Sequence, residues 1–183
     1  MTASVRRARA AHGLIIAVAF AIACSSVGEL QTPIAPTTTV MPDGWLTYSE
    51  PAYEFSISYP ASFVVLPDSS PPVPGLVKRV RFQDRQIASS PLADREPERL
   101  LIEVFRWTQP TSLETWLRAA GKPPPDGDVS RFSWPGAREA LVVRHRSAMA
   151  PNEFYYFATN DWAYALTPLG DGSTMLGTFV LMR

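Results

Sequence analysis

Residues 53–60 read Tyr53-Glu54-Phe55-Ser56-Ile57-Ser58-Tyr59-Pro60. Tyr53, Phe55, Ile57 and Tyr59 alternate with Glu54, Ser56 and Ser58, which is the two-residue period of a strand with one buried face. Pro60 lacks the N–H that a sheet ladder needs and stops the run. Upstream, Trp45–Ser49 is a second strand, joined to the first through a turn at Glu50-Pro51-Ala52. Downstream, Ser62–Leu66 is a short apolar segment, and a Ser/Pro-rich loop then runs to Gly75.

Leu76–Gln83 is a further strand, with Val80 and Phe82 on one face and Arg79 and Arg81 on the other. Asp84–Glu98 contains Pro91 and Pro97 with little periodicity, and is expected to be a long exposed loop. Leu100–Trp107 is apolar on both faces apart from Glu103 and Arg106, so it belongs in the middle of a sheet covered on both sides. Thr111–Ala120 supplies the cover. Leu113, Trp116, Leu117 and Ala120 recur at helical spacing, Thr111 or Ser112 can cap the start, and Glu114 follows Thr111 at capping-box distance. Gly121 and Lys122-Pro123-Pro124-Pro125 end the helix.

Four strands then follow closely: Val129–Trp134, Ala137–Ser147, Glu153–Thr159 and Trp162–Pro168. Pro135-Gly136, Pro151-Asn152 and Asn160-Asp161 between them are the turn chemistry of an antiparallel meander. Ser173–Met182 starts as a helical turn through Met175 and Leu176 and finishes as a strand through Phe179 and Leu181. The expected class is α+β: a single antiparallel sheet of about six to eight strands, one main helix (Thr111–Ala120), and a short C-terminal helical turn packed on it.

The amino terminus gives an address. Arg6, Arg7 and Arg9 precede ten charge-free residues, Leu14–Ala23, too few to cross a bilayer core that needs about 20. Ala21-Ile22-Ala23 is a small-x-small cleavage pattern, and Cys24, the only cysteine, comes next. The segment resembles a bacterial lipoprotein signal, and the resemblance implies a diacylglyceryl group on the Cys24 thiol and cleavage before it. An ordinary secretory signal cut at the same bond is the alternative. With about 0.8 kcal/mol per buried methylene, two chains anchor where one binds only marginally. Residues 1–23 are thus expected as signal peptide, 24–43 as a disordered Ser/Thr/Pro tether, and 44–183 as one α+β domain.

Losing Arg6, Arg7 and Arg9 leaves 14 basic against 17 acidic residues, a balance that argues against nucleic acid or an anionic lipid surface as an electrostatic partner. With its cysteine taken, the mature chain has no internal disulfide, and about 140 residues suffice for one apolar core.

Trp45-Leu46-Thr47-Tyr48, Tyr53 to Pro60, Leu113-Glu114-Thr115-Trp116-Leu117, Glu153 to Phe157, Trp162 to Leu166 and Leu176-Gly177-Thr178-Phe179 together resemble the PsbP-like group of domains. The resemblance runs from Trp45 to the C-terminus and implies an antiparallel sheet flanked by helices. The namesake is an extrinsic protein of photosystem II, and many bacterial members are exported or lipid-anchored. No functional residue carries over, because the matching positions are structural.

Chemistry is sparse. His145 is the only histidine after Cys24, flanked by Arg144 and Arg146, whose charges oppose a bound cation. No nucleophile elbow, phosphate loop or paired-cysteine motif is present. Asp126-Gly127-Asp128 and Asp171-Gly172-Ser173 have the look of calcium loops but lack the remaining oxygen ligands, and read as turns. No cofactor, metal or catalytic residue is expected.

Phe154-Tyr155-Tyr156-Phe157 must send Phe154 and Tyr156 to one face and Tyr155 and Phe157 to the other. The second pair forms an exposed binding strip if no helix covers it, and Arg79, Arg81, Arg144 and Arg146 add a basic stripe if their strands are neighbours. The functional expectation is a non-enzymatic lipoprotein outside the cytoplasm, held to the cell membrane through Cys24. It would bind another envelope component, with Tyr155, Phe157, Arg144 and Arg146 as the candidate surface. A small-ligand carrier or enzyme with a pocket between sheet and helix is the alternative.

Overall fold

The computed structural model describes residues 37–40, 44–68, 73–91, 93, 95–108, 111–120, 122, 127–146 and 151–182. The signal segment, Cys24 and the tether up to residue 36 lie outside the described residues. Within the expected tether, Thr37–Val40 forms strand β1. Trp45–Glu50 is β2 and Phe55–Pro60 is β3. Between them, Pro51–Tyr53 makes a 3-10 turn closed by Glu54 in the left-handed region. The other strands are β4 (Phe63–Leu66), β5 (Leu76–Asp84), β6 (Leu100–Arg106), β7 (Asp128–Arg131), β8 (Glu139–Arg144), β9 (Glu153–Ala158), β10 (Trp162–Pro168) and β11 (Val180–Leu181). The described residues also form three α-helices: α1 (Arg85–Ala88), α2 (Leu113–Ala119) and α3 (Ser173–Leu176).

The α+β class and the antiparallel pairing hold, but the strands form two sheets rather than one. One has the order β1-β2-β3-β11; the other has seven strands, β4-β5-β6-β10-β9-β8-β7. Alternation shows that a strand has one buried face without showing which sheet it joins. The chain leaves the small sheet at Pro60, where Ala61 donates to the Gly44 carbonyl, and enters the large one at Phe63.

The main core lies between the sheets. Tyr48 and Tyr59 from the small sheet pack on Phe82, with ring centroids 6.0 and 5.0 Å apart; Phe55 meets Tyr164 edge-on at 6.1 Å. Phe179 stacks on Phe157 at 5.3 Å. Leu100, Ile102 and Val104 of β6 face this layer.

The second core lies on the other face of the large sheet. Leu113 and Leu117 of α2 bury against Leu141, Tyr156, Phe105 and three alanines, Ala158, Ala163 and Ala165, whose small side chains let the helix approach the sheet. Burial of a leucine of this kind stabilises by about 1.5–3 kcal/mol. Both faces of β6 are therefore covered, which is why its sequence is nearly continuous in apolar residues. Ser112 caps α2 by accepting the Thr115 N–H at 3.2 Å, and Glu139 of β8 accepts the Leu113 N–H at 2.9 Å. Glu114 does not close the expected capping box; it pairs with Arg118 and Arg131.

The expected loop 84–98 contains α1, capped by Asp84, which accepts from Gln86 and Ile87. Asn160 and Asp161 form a two-residue hairpin in which Thr159 donates to the Trp162 carbonyl at 2.9 Å. Pro135 and Gly136 form a turn in which Ala137 donates to the Trp134 carbonyl, and Gly136 holds φ +82°, the geometry that favours proline followed by glycine. No helix among the described residues is long and apolar enough to cross a membrane.

Candidate functional site

The pairing register places the sequence-selected residues on the β7-β8-β9 side of the large sheet. Arg144 stands opposite both Asp128 of β7 and Glu153 of β9. The Arg144 Nε donates to Glu153 Oε1 at 2.7 Å, and the Tyr155 hydroxyl donates to Glu153 Oε2 at 2.5 Å. One carboxylate thus serves an arginine and a phenol. The Tyr155 bond, followed by the Arg144 bond, holds the Glu153 carboxyl below the ordinary carboxylate range. Burial, then the Glu153 bond, pushes the Tyr155 phenol up to about 12. Arg146 binds Asp128 through Nε and Nη2 at 3.3 and 3.1 Å, and this contact lowers the Asp128 carboxyl.

Phe157 does not belong to this surface. It is fully buried, enclosed by Phe132, Trp134 and Phe179 with ring separations of 5.8, 5.1 and 5.3 Å. The β7–β8 connection, which carries Phe132 and Trp134, and Phe179 just before β11 cover its face. Tyr155 is half-buried beside Phe132, with its hydroxyl bonded to Glu153. The aromatic strip is therefore absent, while Arg144 and Arg146 are exposed as expected.

The wider basic stripe does not form either, because β6, β10 and β9 separate β5 from β8. Arg79 and Arg81 have their own partners, Glu103 and Glu98. His145 packs edge-on against Phe154 at 5.4 Å, and its backbone N–H bonds Asn152. Asp171 lies in the 3-10 turn Gly170–Gly172, where its carbonyl accepts from Thr174. Among the described residues, no three carboxylate or imidazole groups gather as metal ligands would.

Two polar groupings escaped the sequence reading. Glu103 is only 7 % exposed on the helix-covered face, where it binds Arg79 and Lys122. Arg79 also approaches Asp68 at 3.7 Å, and the Lys122 ammonium lies 4.8 Å from the centre of the Phe105 ring. Burial, then the Glu103 charge, raises the pKa of Tyr156 nearby. The signal was the lone glutamate in an otherwise apolar strand. Glu50 is the second, buried where β2 ends, accepting from Tyr48 at 2.8 Å and pairing with Lys78 at 2.7 Å. Each of these carboxylates is neutralised by cations of its own, so both groupings act as ties between elements.

An open groove of about 560 Å³ runs between Leu66, Pro67, Arg81, Gln83 and the 93–98 segment. Another of about 430 Å³ lies between Trp134-Pro135-Gly136 and Phe179-Val180-Leu181.

No known protein-family model matches the chain, and no curated protein matches it. Among solved structures, the chain is similar to the solution structure of cyanobacterial PsbP (CyanoP) from Synechocystis sp. PCC 6803, at 14 % identity and a TM-score of 0.47. The match covers 82 % of this chain and 99 % of that one.

Proposed function

We propose that this protein is a lipoprotein anchored to the outer face of the cell membrane through Cys24, and that its domain is a non-enzymatic binding module for another envelope component. The observation that favours this reading over a ligand carrier or enzyme is the filled layer between sheet and helix. Leu113, Leu117, Leu141, Tyr156, Ala163 and Ala165 are each 3 % exposed or less, so the space where such a pocket would lie is occupied by side chains. Arg144 with Glu153 and Arg146 with Asp128 form exposed ion pairs on the β7-β8-β9 side of the large sheet.

The anchor supports the same reading through its reach. Cys24 and the start of β1 at Thr37 are 13 residues apart. Fully extended, that length spans about 45 Å, which would keep the domain close to the membrane and to proteins embedded in it. The test is cross-linking of the full-length protein in its own membranes, followed by mass spectrometry. A reproducible cross-link to one envelope protein supports the reading. Recovery of uncross-linked protein carrying a stoichiometric small molecule in native mass spectra would replace it with the carrier alternative.

A further inference from the structure

We infer that the outer edge of β7 docks an extended, acidic segment of a partner protein, which joins the large sheet as an eighth strand. The inference rests on the binding-module reading and names the surface it would use. Phe132 donates to the Ala140 carbonyl at 3.1 Å, and the β7–β8 register, in which Arg131 faces Leu141, puts these two residues opposite each other. Residues of an antiparallel ladder alternate between bonded and non-bonded pairs, so Asp128 and Ser130 bond toward β8. The N–H and C=O groups of Val129 and Arg131 therefore point away from the sheet. All four β7 residues are exposed, and Val129 is one of the two large apolar side chains exposed among the described residues.

Of the other edges, those at β4 and β11 are blocked. At β4, Arg85 Nη2 donates to the carbonyls of Ala61 and Phe63. At β11, Gly136 lies against Leu181, where an added Cβ would come within 3.2 Å of the Leu181 carbonyl oxygen. Proteins guard unpaired edges in such ways because an open ladder recruits strands. β7 carries no proline and no bulge.

The charge around this edge selects the occupant. Arg118, Arg131, Arg144 and Arg146 have side chains 51–82 % exposed, against 34 % for Glu114, 37 % for Glu153 and 62 % for Asp128. These four guanidinium groups outnumber the three carboxylates paired with them, an excess that favours carboxylates on the side chains of an approaching chain. A second copy fits poorly. Antiparallel self-pairing must set outward residues against outward residues, and that brings both Arg131 side chains onto one face.

The probe is the blocked peptide Thr-Glu-Val-Glu-Val-Glu-Thr, titrated into the 15N-labelled full chain in detergent micelles, with Thr-Lys-Val-Lys-Val-Lys-Thr as control. Amide exchange at Val129 and Arg131 should slow at least tenfold with the acidic peptide while Ser130 is unchanged, and the lysine peptide should bind at least tenfold more weakly. Val129→Pro removes an outward donor without touching the ladder to β8, and should abolish binding with an unchanged circular-dichroism spectrum. Should that variant not fold, Arg131→Glu carries the test and should invert the preference between the peptides.

Protection elsewhere, equal binding of both peptides, or undiminished binding to a folded Val129→Pro would overturn the inference. So would protection of these amides that grows with protein concentration alone, which would mark self-pairing. A membrane cross-link that survives in Val129→Pro would overturn only the edge assignment; absence of any cross-link in the unaltered protein would overturn the binding-module reading itself.

Discussion

Glu103 stands directly opposite Arg79 across β5 and β6, and its Oε1 accepts two hydrogen bonds from that guanidinium, at 3.3 and 2.9 Å. The same cross-sheet row continues through Ala165 and Tyr156 to Leu141, so the carboxylate is embedded in the face that α2 covers. Breaking a buried pair leaves an uncompensated charge and costs about 3 kcal/mol or more. Glu103→Gln should lower unfolding stability in urea by roughly that amount. Lys122→Met should cost less than about 1 kcal/mol, because its ammonium is partly solvated and the methionine still covers Phe105. Equal effects of the two substitutions would mean that Glu103 is not the shared tie.

Gly172 is a second tight point. A Cβ at this position would overlap the backbone carbonyl of Arg99, which cannot rotate away as a side chain could. Gly172→Ala should therefore destabilise by about 3 kcal/mol or shift the 3-10 turn off the start of β6. A melting temperature within one or two degrees of the unaltered protein would contradict this packing.

The Glu153-Tyr155 contact sets two pH windows. The folded Glu153 carboxyl titrates below its ordinary value of 4.5, so its contribution is complete above that value and is lost as pH falls through the lower, folded one. The folded Tyr155 phenol titrates at about 12 against an ordinary 10, so its contribution is complete below pH 10 and disappears between 10 and about 12. Glu153→Gln should flatten the acid limb of a plot of urea midpoint against pH, and Tyr155→Phe the alkaline limb. Unchanged slopes in both variants would remove the contact.

The lipid reading makes a simple prediction for fractionation. Cys24→Ser should move the protein from the membrane pellet to the soluble extracytoplasmic fraction, since it removes the thiol that would carry the lipid. Retention in the pellet at the original level would show attachment by another route.

Much of the fold was legible because alternation and turn chemistry act locally. Trp162–Pro168 was read with its observed bounds, and the Pro135-Gly136 and Asn160-Asp161 turns fell where expected. Sheet membership was not legible, because Tyr48 and Phe82 carry the same strand period yet face each other from different sheets. Phe157 was misplaced for a related reason: its neighbour Tyr156 lies under α2, whereas Phe157 is covered by Phe132 and Trp134 of a connection and by Phe179, contacts that residue spacing leaves open. α1 was missed because a single turn has no period to detect, although Asp84 supplied its cap. Arg144 and Arg146 were singled out from sequence, but their partners Glu153 and Asp128 depend on register, which residue spacing leaves open.

The most direct test of a tethered module at the membrane is the intact mass of the full-length gene product extracted from its own membranes. The expected species begins at Cys24 and is heavier than residues 24–183 by a diacylglyceryl group, with or without a further acyl chain. A mass equal to the unmodified polypeptide, with a free thiol at residue 24, would contradict the anchor and the role built on it.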